Sequence, residues 1–192
     1  MVVLYFKEIS MHKQLDKHWN RLVETKEYYD ALLKVFTEAQ LNFKPAPDSW
    51  SMLEVMHHLY TSEKLSIDYV KKFDFSRKLL KLGFRSQFYT ILLVNRLNSK
   101  KKFKAPKVLK DNQDKFDLAK DAHSFHHQWS DLHEYIQEVL ENYPDDKLDY
   151  FTFNQPVVGK MKIAQMLQFF NAHLKHHQHQ IESINHHPNF PM

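Results

Sequence analysis

The chain has no cysteine, only two glycines (Gly83 and Gly159) and seven prolines in 192 residues. Without cysteine there are no disulfides and no thiolate ligands, so a metal here has to be held by His, Asp or Glu. The same absence fits a reducing compartment, and the cytoplasm is the expected location. The scarcity of glycine and proline argues against a turn-rich β protein and for long helices. No stretch approaches the roughly 20 uninterrupted apolar residues of a membrane span. The apolar run near the start, Val2 to Phe6, lacks a basic leader and a small-residue cleavage site, so it is not read as a signal peptide. Residues 1–10 are read as an extension, with Met11 as an alternative start. No internal repeat or low-complexity tract is visible, and the length predicts a single domain over 1–192 with enough residues to bury a core.

Histidine is abundant: 14 in all, four of them between His173 and His179. The surrounding stretch, Phe169 to Ile181, has no glycine or proline and carries helical apolar periodicity. At about 100° per residue, with His173 at zero, His177 falls near +40°. Met166, Phe170, Ile181 and Ile184 lie between about +20° and +80°, so His173 and His177 share the apolar stripe. His176 and His179 fall near −60° and −120°, toward the polar side. Two imidazoles one turn apart on a buried face are costly to desolvate unless each nitrogen finds a partner. A metal ion meets that need, and i, i+4 is the spacing at which one helix offers two ligands to one ion. Two core histidines bonded to neighbouring side chains would satisfy the same pattern.

Along the chain, Leu15, Trp19, Leu22, Tyr29, Leu32, Leu33 and Phe36 predict a first helix from Ser10 to Ala39. His12 and His18 are read as solvated on it. Pro45 and Pro47 break the chain. Ser51, with Glu54 three residues on, has the spacing of a capping box opening a second helix that is expected to reach Lys81. On that helix His58 is the inward histidine, and His57 points about 100° away. A short apolar helix is expected from Gln87 to Leu97, inside a variable basic connection over 83–116. The third helix is predicted over Asp117 to Asn142. Tyr150 to Asn154 is read as an extended piece within a loop, and the fourth helix as running from Met161 to before Pro188. Four long helices with one longer connection between the second and third predict an all-α four-helix bundle.

Two features are decoys for function. From Arg96 to Lys110 the chain has seven basic residues and no acid. Such a run can meet phosphates, but one basic stretch is a weak nucleic-acid footprint, and no nucleic-acid partner is expected. The third helix holds its own i, i+4 pair, His123 and His127, with His126 and His133 one heptad apart. The stripe of that helix is Phe125, Trp129, Leu132, Ile136, Val139 and Leu140, and His123 lies off it.

Trp50-Ser51 with Glu54 and then His58-Leu59, Pro156 with Gly159-Lys160-Met161, and His173, His177, Gln180 and Ile181 near the end resemble the DinB-like superfamily. The resemblance runs from about Ser10 to Asn185. It implies a four-helix bundle in which three histidines, mapping onto His58, His173 and His177, bind one divalent metal. Zinc or nickel is the expected ion, with iron or manganese as alternatives. The resemblance further implies a homodimer and a small-molecule substrate, with a low-molecular-weight thiol as a cosubstrate in some relatives. Three neutral imidazoles with no protein carboxylate leave positions for water, the arrangement of a catalytic site. Such an ion lowers the pKa of its water or activates a thiolate. Glu54, one turn before His58, is the candidate catalytic residue, against its simpler role in the capping box. Asn171 and Gln180 are placed at the site or its edge. The expected function is therefore a metal-dependent thiol transferase or small-molecule hydrolase, with no membrane partner. The alternative is a non-catalytic bundle that keeps the metal for stability or partner binding.

Overall fold

A computed structural model describes residues 11–99 and 117–192. The basic stretch from Lys100 to Lys110 and residues 1–10 lie outside the described residues. The elements in chain order are α1 (Lys13–Val35), α2 (Glu38–Leu41), α3 (Met52–Lys71), α4 (Phe84–Leu97), α5 (Ala122–Glu141), a short 3-10 turn (Asp145–Lys147), β1 (Phe153–Gln155), β2 (Gly159–Met161) and α6 (Ile163–Asn185).

The four long helices α1, α3, α5 and α6 form a four-helix bundle. α1 packs against α5 and α6, and so does α3, so α1 and α3 stand on one diagonal and α5 and α6 on the other. The core between them is aromatic and aliphatic, with Tyr29, Phe125, Trp129 and Phe170 almost fully buried. Burying each such side chain contributes about 1.5–3 kcal/mol. The Tyr29 hydroxyl donates to the Leu174 carbonyl at 2.5 Å and ties α1 to α6.

Ser51 caps α3 as its spacing predicts: its hydroxyl accepts from Glu54 N at 3.2 Å, and the Glu54 carboxylate accepts from Ser51 N at 2.8 Å. Other boundaries differ from the expectation. The single first helix is two: Phe36 turns extended (ψ 143°) and Thr37 opens α2 with a capping box on Gln40. Phe36 thereby reaches the ring of Phe190 at 5.8 Å. α3 stops at Lys71, ten residues before Lys81. Just beyond it the Asp74 carboxylate accepts from Ser76 N at 3.0 Å and from the Ser76 hydroxyl at 2.6 Å, a local turn that competes with helix. Phe73 and Phe75 pack edge-on against Phe151 and Tyr143, and Lys81 bridges Tyr150 in extended conformation. α5 starts at Ala122 and not at Asp117, capped by Asp121, whose side chain accepts from Ser124 N at 2.8 Å. The expected loop after Tyr150 is an antiparallel hairpin, Phe153 paired with Met161 and Gln155 with Gly159. The Gln155 side chain closes its turn by accepting from Val157 N and Val158 N. Gly159 sits at φ 79°, a backbone conformation that side chains with a Cβ disfavour.

α4 lies outside the bundle against α6. Thr90, Leu93 and Leu97 face inward, while Phe84, Phe88, Ile91 and Leu92 face outward, Phe84 being 82% exposed. This helix is apolar on both sides.

Candidate metal centre

Three histidines from two helices meet at one point. His58 comes from α3, and His173 and His177 come from successive turns of α6, buried to 4%, 8% and 8% exposure. His173 Nε2 lies 3.2 Å from His58 Nε2 and 3.2 Å from His177 Nε2. Among the described residues these three form the group whose ligand atoms all lie close enough to share one ion.

The tautomers point the same way. The Gln180 side-chain oxygen stands 2.9 Å from His177 Nδ1, so Nδ1 carries the proton and Nε2 turns its lone pair inward. A single proton on His173 Nε2 can then serve only one of its two neighbours well. A divalent ion takes all three lone pairs at once. Nitrogens held about 2.0–2.1 Å from zinc, at octahedral to tetrahedral angles, stand about 2.9–3.4 Å apart, and the observed 3.2 Å falls in that range. The residues present fit the ion.

Burial also keeps the rings neutral. Desolvation lowers His58 to about 4. Desolvation and then the charge of His58 lower His177 to about 3, against a partial raise from Gln180. His173 is pushed well below its ordinary value by burial, then by His177 and His58. The rings are clamped by aromatics: Phe169 stacks on His173 at 5.2 Å and 17°, and Trp50 packs on His58 at 5.1 Å. Burial that penalises protonation and packing that fixes ring orientation both prepare a cation site.

The remaining candidates sort as follows. Both Glu54 oxygens have partners, Lys44 Nζ at 2.6 Å and Ser51 N at 2.8 Å, which is the capping role. Gln180 orients His177. Asn171 faces away from the triad and is held by Thr25 Oγ1 at 2.6 Å. His57 Nε2 meets the Ala119 carbonyl at 3.0 Å, and His176 Nδ1 meets the Leu97 carbonyl at 2.6 Å, joining α6 to α4. His123 and His127 meet edge-on with centroids 4.6 Å apart on the exposed side of α5, off the core as the wheel position of His123 predicts. His18 is half-buried rather than solvated, with Gln168 Nε2 donating to its Nε2 at 3.2 Å.

A buried polar pair escaped the sequence reading. Glu63 accepts from Trp129 Nε1 at 2.9 Å and pairs with His133 at 3.2 Å, with Trp19 packed on His133 at 5.3 Å. Its other oxygen, Glu63 Oε1, is buried without a partner among the described residues. The available signal was an acid inside the all-round apolar surface of α3.

Together these features define a helical bundle with a buried three-histidine cluster that could hold a metal ion. The sequence pattern of the DinB superfamily matches residues 21–181, and the chain belongs to that superfamily. Among solved structures, the chain is similar to YfiT from Bacillus subtilis, at 18% identity over 92% of this chain and 89% of that one, with a TM-score of 0.55. That protein is described as a probable metal-dependent hydrolase with an unusual four-helix bundle topology. No curated protein sequence matches.

Proposed function

We propose that this protein is a metal-dependent enzyme of hydrolase or thiol-transferase type, acting on a small molecule at the His58–His173–His177 centre. The observation that carries it is the convergence of three neutral imidazole nitrogens with no carboxylate among them. A zinc or nickel ion held there supplies a Lewis acid with positions left for exchangeable ligands. The chain's own part is positioning. Gln180 sets the His177 tautomer, Phe169 and Trp50 hold the rings in place, and the apolar surroundings keep the nitrogens unprotonated at neutral pH. Hydrolysis is the first reading, in line with the description of YfiT. Transfer of a low-molecular-weight thiol uses the same open positions.

The non-catalytic alternative, a bundle that keeps the ion for stability or partner binding, uses the same three ligands. The deciding experiment is elemental analysis of untagged protein, followed by a panel of esters, amides and thiol–electrophile pairs with wild type and His173→Ala. Turnover that needs about one metal per chain and disappears in the variant supports the enzyme. Stoichiometric metal without turnover on any substrate class favours the structural role.

A further inference from the structure

α6 is used on two opposite sides. Gln168, Asn171 and Lys175 lie about 140–160° round the helix from His173, and they line a cleft of about 420 Å³ between α6, α1 and α4. That volume lies within the range of roughly 300–1,000 Å³ typical of small-molecule sites.

The lining is one-sided in charge. Arg21 from α1 and Lys175 from α6 face the cleft, and among the described residues no acidic side chain lines it. Neither cation has an ion-pair or side-chain hydrogen-bond partner among the described residues. By contrast Lys26, Lys44, Lys64 and Lys162 each meet a carboxylate at 2.6 Å. The amides of Asn95 and Asn98 add groups that donate or accept at the rim. The wall is apolar: Ile91 and Val94 from α4 and Leu167 from α6. Ile91 continues the outward apolar face of α4. The one imidazole in the lining, His18, is bonded to Gln168 and has no second and third metal ligand beside it among the described residues, and an apolar molecule would leave both cations without a counter-charge.

We infer that this cleft binds a small organic anion, a carboxylate or phosphate monoester carrying a short apolar body. The guanidinium of Arg21 and the ammonium of Lys175 take the anionic group, and the body lies against Ile91 and Val94. The site is separate from the metal centre and stands whether or not that centre is catalytic.

Titration calorimetry on the full chain with hexanoate, hexyl phosphate and inorganic phosphate tests it. At least one organic anion binds in the submillimolar range, about tenfold or more tighter than inorganic phosphate, because the apolar body contributes. Arg21→Ala with Lys175→Ala weakens that binding by about 10–100-fold, the usual loss for charge-assisted contacts. Both residues are exposed, so an unchanged melting curve separates lost binding from lost fold. Arg21→Lys gives an intermediate loss, since the forked geometry goes but the charge stays. His173→Ala leaves binding unchanged. Whichever organic anion binds more tightly names the head group. The inference is overturned if neither organic anion binds at about 10 mM, if both bind no tighter than inorganic phosphate, if the double variant binds as well as wild type, or if His173→Ala abolishes binding.

Discussion

At the scale of single residues, what separates one histidine from another is its surroundings. His173→Ala and His177→Ala are each expected to abolish stoichiometric metal, measured by elemental analysis after dialysis. His123→Ala and His127→Ala should leave it in place, because that pair sits on the exposed side of α5 with no third ligand within reach among the described residues. Gln180→Ala should weaken metal binding by about 10–100-fold without removing a ligand, as loss of an outer partner does. The histidines also set a pH dependence. In the metal-free protein His58 titrates near 4 and His177 near 3, whereas in the unfolded chain both titrate near the reference value of about 6.5. Between those values the unfolded chain binds protons that the fold refuses, so stability falls as pH falls from about 6.5 toward 4. The loss is on the order of a few kcal/mol, read as a drop in urea midpoint between neutral pH and pH 4.5. A midpoint that stayed level, or rose, over that interval would show that the three rings accept protons freely and are not buried as described.

At the scale of elements, the three-histidine cluster joins α3 to α6, with His58 and His173 115 residues apart in sequence. Each helix is placed by local chemistry: α3 by the Ser51–Glu54 box, α6 by the hairpin that precedes it. Gly159 is the half-buried joint of that hairpin. A Cβ there meets nothing within 4 Å, but φ is 79°, so Gly159→Ala should cost about 1–2 kcal/mol through backbone conformation alone. The check is a lowered denaturation midpoint with an unchanged m-value. A neutral substitution would mean that the turn relaxes to negative φ. The helix boundaries show which signals were legible. The capping box at Ser51 is a local motif, so it could be read directly. The end of α3 depends on Phe73 and Phe75 finding Phe151 and Tyr143, partners far along the chain that no local periodicity announces.

At the scale of the whole molecule, the bundle buries an extensive aromatic core and no helix among the described residues is long and apolar enough to cross a membrane. Such a core is expected to fold without the ion, unlike a zinc finger. Chelation should therefore lower the melting temperature by several degrees while the helical circular dichroism at 25 °C survives. A ligand that binds only the native state adds about 2.7 kcal/mol at a hundredfold excess over its dissociation constant. Outright loss of helical signal on chelation would make the ion structural. Identical melting with and without metal would mean that the three histidines do not share one.

Helical class, the absence of thiol ligands and the inward face of His173 and His177 were determined by the sequence alone, because each follows from composition or from the 3.6-residue repeat of a single helix. That repeat says which residues share a face but not what the face meets. Only the tertiary structure brings His58 to 3.2 Å from His173. It also buries Glu63 against Trp129 and His133, and leaves Arg21 and Lys175 without acids across the bundle from the metal centre. The reason is the same in each case: these contacts join elements far apart in the chain, and they exist only after the apolar stripes have chosen their partners.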